Sequence, residues 1–303
     1  MRSVAAETVV LLVLTCGACG SAPTEQAVGG TALHYDGTAW GEMMTGTTSF
    51  LVSVWGTSSS DVFAVGTRGT ILHYNGTSWS PMPSGKEAHL AAVWGTSSSD
   101  VFAVGTGGTI LHYDETNWSA MTTGTILALD GVWGTSSSDV FAVGSFQVLH
   151  HDGTSWRKMA SGTTASLFDV WGTSSSDVFV VGSGGTILHY DGTNWSVMTS
   201  ATSQSLYGVW GTSSSDVFAV GSGGTILHYD GTNWSVMTSG TSQSLYGVWG
   251  TSSSDVFAVG SGGTIMRHDG GGWSAMASRI DWELHGVWGT SSSDVFAVGY
   301  GRP

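Results

Sequence analysis

The decapeptide V-W-G-T-S-S-S-D-V-F occurs seven times in this chain of 303 residues, and its tryptophans, Trp55, Trp94, Trp133, Trp171, Trp210, Trp249 and Trp288, are spaced by 39, 39, 38, 39, 39 and 39 residues. A unit of this length cannot bury a core alone and must be covered by its neighbours, so the period dictates the architecture. A second tryptophan closes each unit, at Trp79, Trp118, Trp156, Trp195, Trp234 and Trp273, with a seventh, Trp40, ahead of the first V-W-G. Within residues 206–237 four β-type runs are expected, at 206–211, 217–221, 225–229 and 233–237, separated by T-S-S-S-D, S-G-G and D-G-T. Asp-Gly is a strong hairpin signal because the tight turn needs positive φ. The second and third runs are apolar on both faces, so each small sheet needs cover on both sides.

Four antiparallel strands repeated seven times predict an all-β, seven-bladed β-propeller. Its blades start near residues 51, 90, 129, 167, 206, 245 and 284. Residues 31–43 supply only the third and fourth strands of a unit and residues 284–299 only the first and second, so the two ends are expected to complete one blade and close the ring. Such pairing also covers edges that invite aggregation. A parallel β-helix is the alternative, disfavoured by the hairpins inside each unit; a piece of a longer array remains open.

The pattern V-W-G-T-S-S-S-D-V-F-A-V-G-x-x-G-T-I-L-H-Y-D-G-T-x-W resembles the blades of Asp-box (BNR-like) and photosystem II assembly factor-type seven-bladed propellers, and the VWG-repeat lipoproteins of bacteria, over residues 31–303. The resemblance implies a fold more than an activity, since such blades serve sialidases, lectins and assembly chaperones alike. The arginine cluster that a sialidase would need is not matched by Arg68, Arg157, Arg267 and Arg279.

Composition removes other classes. Both cysteines, Cys16 and Cys19, lie in the first 20 residues, so the body has no thiol for a disulfide, a zinc-thiolate site or a nucleophile. Eight Lys/Arg against 22 Asp/Glu give a net charge of −14, which repels nucleic acid. Residues 1–19 have the order of an export signal: Arg2, an apolar stretch at 8–15, then small residues before Cys19. Gly17-Ala18-Cys19 resembles a lipobox, making Cys19 the expected lipid attachment point and the anchor the only membrane contact. Residues 20–30 read as a flexible tether.

Recurrent polar residues read as structural. A histidine in the third strand (His34, His73, His112, His150, His189, His228 and His268) is expected to bond a neighbouring turn between blades, since a ring of well-separated positions cannot converge on one metal. The aspartates of the S-S-S-D turns, Asp61, Asp100, Asp139, Asp177, Asp216, Asp255 and Asp294, and those of the Asp-Gly turns are expected to satisfy their own backbone amides. The N-x-S/T sequences at Asn75, Asn117, Asn194 and Asn233 read as turn features. No cofactor or metal site and no enzyme motif is found.

Where the copies differ is therefore the functional signal. Differences gather in the connection from the fourth strand to the next blade and in the turn after the second strand, which share one rim: Lys86, Glu87, His89, Asp130, Phe146, Gln147, Arg267, Arg279, Asp281, Trp282, Glu283 and His285. From these, Lys86, His89, Arg279, Asp281, Trp282, Glu283 and His285 are the candidate binding residues, with Trp282, the tryptophan outside the repeat positions, as aromatic anchor. The expectation is a monomeric, non-catalytic, exported scaffold for an envelope protein or glycan. The alternatives are a multivalent lectin and a polysaccharide hydrolase.

Overall fold

The computed structural model describes residues 29–301. The expected export signal, Cys19 and the tether up to residue 28 lie outside the described residues. Gly30, assigned from sequence to the tether, instead opens the first strand, Gly30–Tyr35.

The described residues form 28 strands in seven four-stranded antiparallel sheets. Blade 1 runs through Leu51–Ser58, Asp61–Gly66, Ile71–Tyr74 and Trp79–Met82 from channel to periphery. Blades 2 to 6 repeat this order. In blade 7 the first two strands are Glu283–Ser291 and Asp294–Tyr300, and the outer two are Gly30–Tyr35 and Trp40–Met43. Six register pairs, from Gly30–Tyr300 to Tyr35–Val295, join the two ends of the chain. The chain is thus a closed seven-bladed propeller.

Burial follows the strand chemistry. The second strand, D-V-F-A-V-G in six blades and D-V-F-V-V-G in blade 4, is buried almost throughout because both of its faces are covered by adjacent sheets. Each apolar cluster therefore spans two blades: Phe63 and Val65 of blade 1 pack with Leu90, Val101 and Trp118 of blade 2. The V-W-G motif acts at the same junctions. A Cβ placed on Gly95 would fall 2.8 Å from Cη2 of Trp55 in the preceding blade, and the same approach joins Trp288 to Gly56 across the closure. Glycine is required there because the indole occupies the space of a side chain.

The recurrent histidines bond within a blade, not between blades as expected. His73 Nε2 lies 2.6 Å from Asp61 Oδ1, and the other Asp61 oxygen accepts the Thr57 hydroxyl. The S-S-S-D aspartates thus tie their turn to the third strand instead of serving their own amides. His268 does not belong to this series. Pairing of Phe257 with Arg267 matches that of Phe218 with His228, so Arg267 takes the histidine position. Its guanidinium donates to Asp255 at 2.8 and 3.0 Å. Arg267 is therefore part of a blade's internal bonding and not of the variable rim. The Asp-Gly aspartates behave as expected: Asp191 Oδ1 accepts the amides of Thr193 and Asn194.

Candidate functional site

Two kinds of turn sit on opposite faces of the ring. The near-identical S-S-S-D and Asp-Gly turns form one, and the connections between blades, with the turns after the second strands, form the other. On this variable face the central channel opens into a cavity of about 600 Å³. Its wall is built from the beginning of the first strand of all seven blades, joined by Phe50, Thr67, His89 and Tyr300.

A backbone irregularity aims side chains at this mouth. In blade 1 Leu51 pairs with Gly66 and Ser53 with Val65, which leaves Val52 as an extra residue. The same bulge recurs in blades 2, 4, 5, 6 and 7. Bulges re-aim a side chain that a regular strand would direct elsewhere. The bulge position, with its counterpart in blade 3, carries Val52, Ala91, Asp130, Phe168, Tyr207, Tyr246 and His285, which all line the cavity. In a protein of near-copies this backbone feature is kept while its side chain changes from blade to blade.

The changes are not scattered. Phe168, Tyr207, Tyr246, His285, Tyr300 and Phe50 form a continuous arc from blade 4 to the blade 7–blade 1 junction, with successive centroids 5.5, 5.4, 4.5, 5.1 and 4.3 Å apart. Tyr246 and His285 are stacked within 2° of parallel. The Tyr207 hydroxyl accepts from Ser222, and that of Tyr246 lies 2.9 Å from Ser261 Oγ. Each tyrosine is thereby held by the turn of its own blade, a fixed aromatic surface rather than a loose one.

The remaining sector is lined by Val52, Ser53, His89, Ala91, Ala92 and Asp130, while Asp169 follows Phe168 at the start of the arc. Asp169 links neighbouring blades, since its carboxylate accepts the amides of Val170 and Val209, both at 2.9 Å. Burial pushes its carboxyl up to about 7, and the two amides only partly oppose this. Burial also raises Asp130, opposed by the Ser145 amide. His89 and His285 are both pushed down by burial, and Glu283 partly offsets this at His285.

A stability test follows from Asp169. Its folded-state value exceeds the unfolded value of about 3.9, so between these values the folded protein holds a proton that the unfolded chain has lost. Stability from this group is therefore highest toward pH 4 and falls as pH rises through 7. Asp169→Asn removes the dependence: relative to the variant, the native protein is expected to lose about 1–3 kcal/mol between pH 5 and 8. Parallel denaturation profiles for the two proteins would count against the assignment.

The residues singled out from sequence divide. His89 and His285 line the mouth, and Glu283 stands beside it, with an oxygen 3.9 Å from His285 Nε2 and another contact from Ser261 Oγ. Lys86, Arg279 and Asp281 are exposed on the connections outside the cavity wall. Arg279 occupies, at φ 62°, a turn position where other blades place Gly85 or Gly240. Trp282 is half-buried and lines a separate groove of about 340 Å³ beside Met43, Met44 and Thr45, with its carbonyl accepting the Gly263 amide. It is not the anchor of the mouth. Of the arc only His285 is among the sequence candidates; Phe168, Tyr207, Tyr246, Tyr300 and Phe50 are not, and neither is Asp169. For Phe168, Tyr207 and Tyr246 the signal is the column after the leucine near the start of each first strand, where seven blades show six residue types; Phe50, Asp169 and Tyr300 lie outside that column.

No group of three or more His, Cys, Asp or Glu able to hold a metal occurs among the described residues. No helix among them is long and apolar enough to cross a membrane.

No protein-family model matches the chain, and no curated protein matches it. Solved structures do. YCF48 from Cyanidioschyzon merolae is similar with a TM-score of 0.68 at 16% identity, covering 86% of this chain and 98% of that one. YCF48 bound to D1 peptide is similar with a TM-score of 0.68 at 12% identity, covering 93% and 97%. The WD40 β-propeller domain of Doa1 gives a TM-score of 0.74 at 12% identity, covering 90% and 98%. At these identities the likeness is one of fold, and the fold it supports is the seven-bladed propeller with its first and last strands in one blade.

Proposed function

We propose that this protein is a non-catalytic binding scaffold whose ligand site is the channel mouth on the variable face. The observation that carries the reading is the bulge position. Blade architecture alone would permit the same residue in every copy, yet this position differs among copies and gathers five of its seven side chains into a continuous run of rings and acid. A cavity of about 600 Å³ suits a short peptide segment or a small ligand. The structure of YCF48 bound to D1 peptide supports peptide recognition as a use to which a propeller of this shape is put. A catalytic reading draws no support from the mouth, where the acids are joined by no nucleophile paired with a base.

The test is selection from a displayed library of random heptapeptides on the intact chain. Selected binders are expected to lose at least about tenfold in affinity for Tyr207→Ala/Tyr246→Ala, as for buried aromatic anchors. They should be unaffected by Thr193→Ala/Thr232→Ala on the opposite face, where both threonines are exposed. Equal loss in both variants, or none in the first, would remove the mouth as the site.

Export and anchoring through Cys19 form part of the proposal and rest on the pattern of residues 1–21. Expressed in a bacterium and fed labelled palmitate, the native chain should take up label and Cys19→Ser should not. Label retained by the variant would dispose of the anchor. Released into an envelope, the mouth would be open to proteins or glycans there, and the chain would act as a monomer because ring closure leaves no unfilled blade.

A further inference from the structure

The acids of the mouth gather at one end of its aromatic arc. Asp169 follows Phe168, the first ring of the arc, with its carboxylate turned to the junction of blades 4 and 5, and Asp130 stands in blade 3 just beyond that end. Their backbones adjoin along the wall: a Cβ on Gly131, next to Asp130, would lie 2.9 Å from the Asp169 Cα. Both carboxyls are lifted by burial, and the groups that oppose the lift are backbone amides, with no cation acting on either. No lysine or arginine lines the cavity, and burial keeps His89 and His285 toward their neutral forms. The chain as a whole carries −14. Acids without a cation in a cavity that leaves room for one mark a site to be filled from outside.

Resting on the reading of the mouth as the binding site, we propose that it receives an arginine or lysine side chain from an exposed peptide segment of a partner. The methylene stem lies along the aromatic arc and the charged head reaches its Phe168 end, where Asp130 and Asp169 stand. The shape of the arc favours this occupant over a sugar. A sugar ring needs a broad open aromatic face, whereas Tyr246 and His285 each give one face to the other at 4.5 Å, Phe50 and Tyr300 do so at 4.3 Å, and Phe168, Tyr207 and Tyr246 are tilted by 48° and 50° to one another. The rings thus offer an apolar flank, which suits a long aliphatic stem ending in a charge. A bare metal ion is served less well, because two carboxyls without a third ligand make no closed coordination shell.

Three blocked peptides, acetyl-Gly-Leu-X-Leu-Gly-amide with X as arginine, norleucine or glutamate, provide the test by titration at pH 8, followed by the chemical shifts of the intact protein. The arginine peptide is expected to bind at least about tenfold more tightly than the norleucine peptide, and the glutamate peptide more weakly still. In Asp130→Asn, which leaves the Asp169 bridge between blades intact, the preference should fall several-fold, and in Asp130→Asn/Asp169→Asn it should nearly vanish. Melting curves establish that both variants are folded. Equal affinity for arginine and norleucine, a preference for glutamate, a preference that survives the double substitution, or no binding of the arginine peptide at millimolar concentration would overturn the proposal. The two readings separate cleanly: binding that ignores charge but is lost in Tyr207→Ala/Tyr246→Ala refutes the cation and leaves the mouth standing. Oligosaccharide binding lost in that same variant has the same meaning. Binding indifferent to the tyrosines refutes the mouth itself.

Discussion

Leu33→Ala is expected to lower stability by about 2–5 kcal/mol, and by as much as Leu227→Ala does in the middle of the ring. Leu33 lies in a strand drawn from the start of the chain, Leu227 in the corresponding strand of blade 5. Both face the alanine of a D-V-F-A-V-G strand, at Ala297 and Ala219, and both are at most 1% exposed. In an open array the terminal unit has one neighbour and contributes less than an internal one. In a closed ring there is no terminal unit. Leu33 sits in one cluster with Phe257, Val259 and Leu284, so emptying its site disturbs the junction of blades 6 and 7 as well as the closing sheet. Denaturant unfolding at matched m-values provides the comparison. A near-neutral Leu33→Ala beside a costly Leu227→Ala would mean that the first strands are loosely attached.

Gly211→Ala is expected to cost about 3 kcal/mol, at the upper end of what overpacking a core incurs. The added carbon would fall 2.6 Å from the Asp216 carbonyl and 2.7 Å from Cη2 of Trp171. The carbonyl belongs to a paired strand and the indole is confined between blades, so neither yields without moving a sheet. Trp171→Phe removes the second collision and not the first. Combined with Gly211→Ala it should therefore cost less than the sum of the two single changes, a coupling of about 1 kcal/mol or more. Strict additivity would show that the indole is not what the glycine accommodates.

Blades, their four strands and the closure were all readable from the sequence, because a 39-residue period, hairpin signals and complementary half-units each constrain the same ring. Two parts were not. Matching the third strand by residue name placed His268 with the histidines, although counting back from Asp269 aligns it with the tyrosines and puts Arg267 opposite Asp255. The mouth is hidden in the sequence for a different reason. Tyr207 and Tyr246 read as ordinary β-formers at the start of a strand, and only the bulge, a product of the twist of the inner strand, turns that position toward the channel. The connections between blades carry the louder sequence signal because they vary most in length and charge. They did lead to His89, His285 and Glu283, since the chain leaves each connection at the rim of the mouth, but Lys86, Arg279 and Asp281 point attention outward to the exposed loops.

The protein carries its own control for the central claim, because its tyrosines fall into two sets. Tyr207, Tyr246 and Tyr300 line the mouth, whereas Tyr35, Tyr74, Tyr113, Tyr190 and Tyr229 adjoin the hairpin turns of the opposite face. Oxidative footprinting with and without a selected peptide reads both sets in one experiment. Protection of the first set, with the second unchanged, is the predicted result; protection confined to the second, or to neither, would contradict a ligand site at the channel mouth.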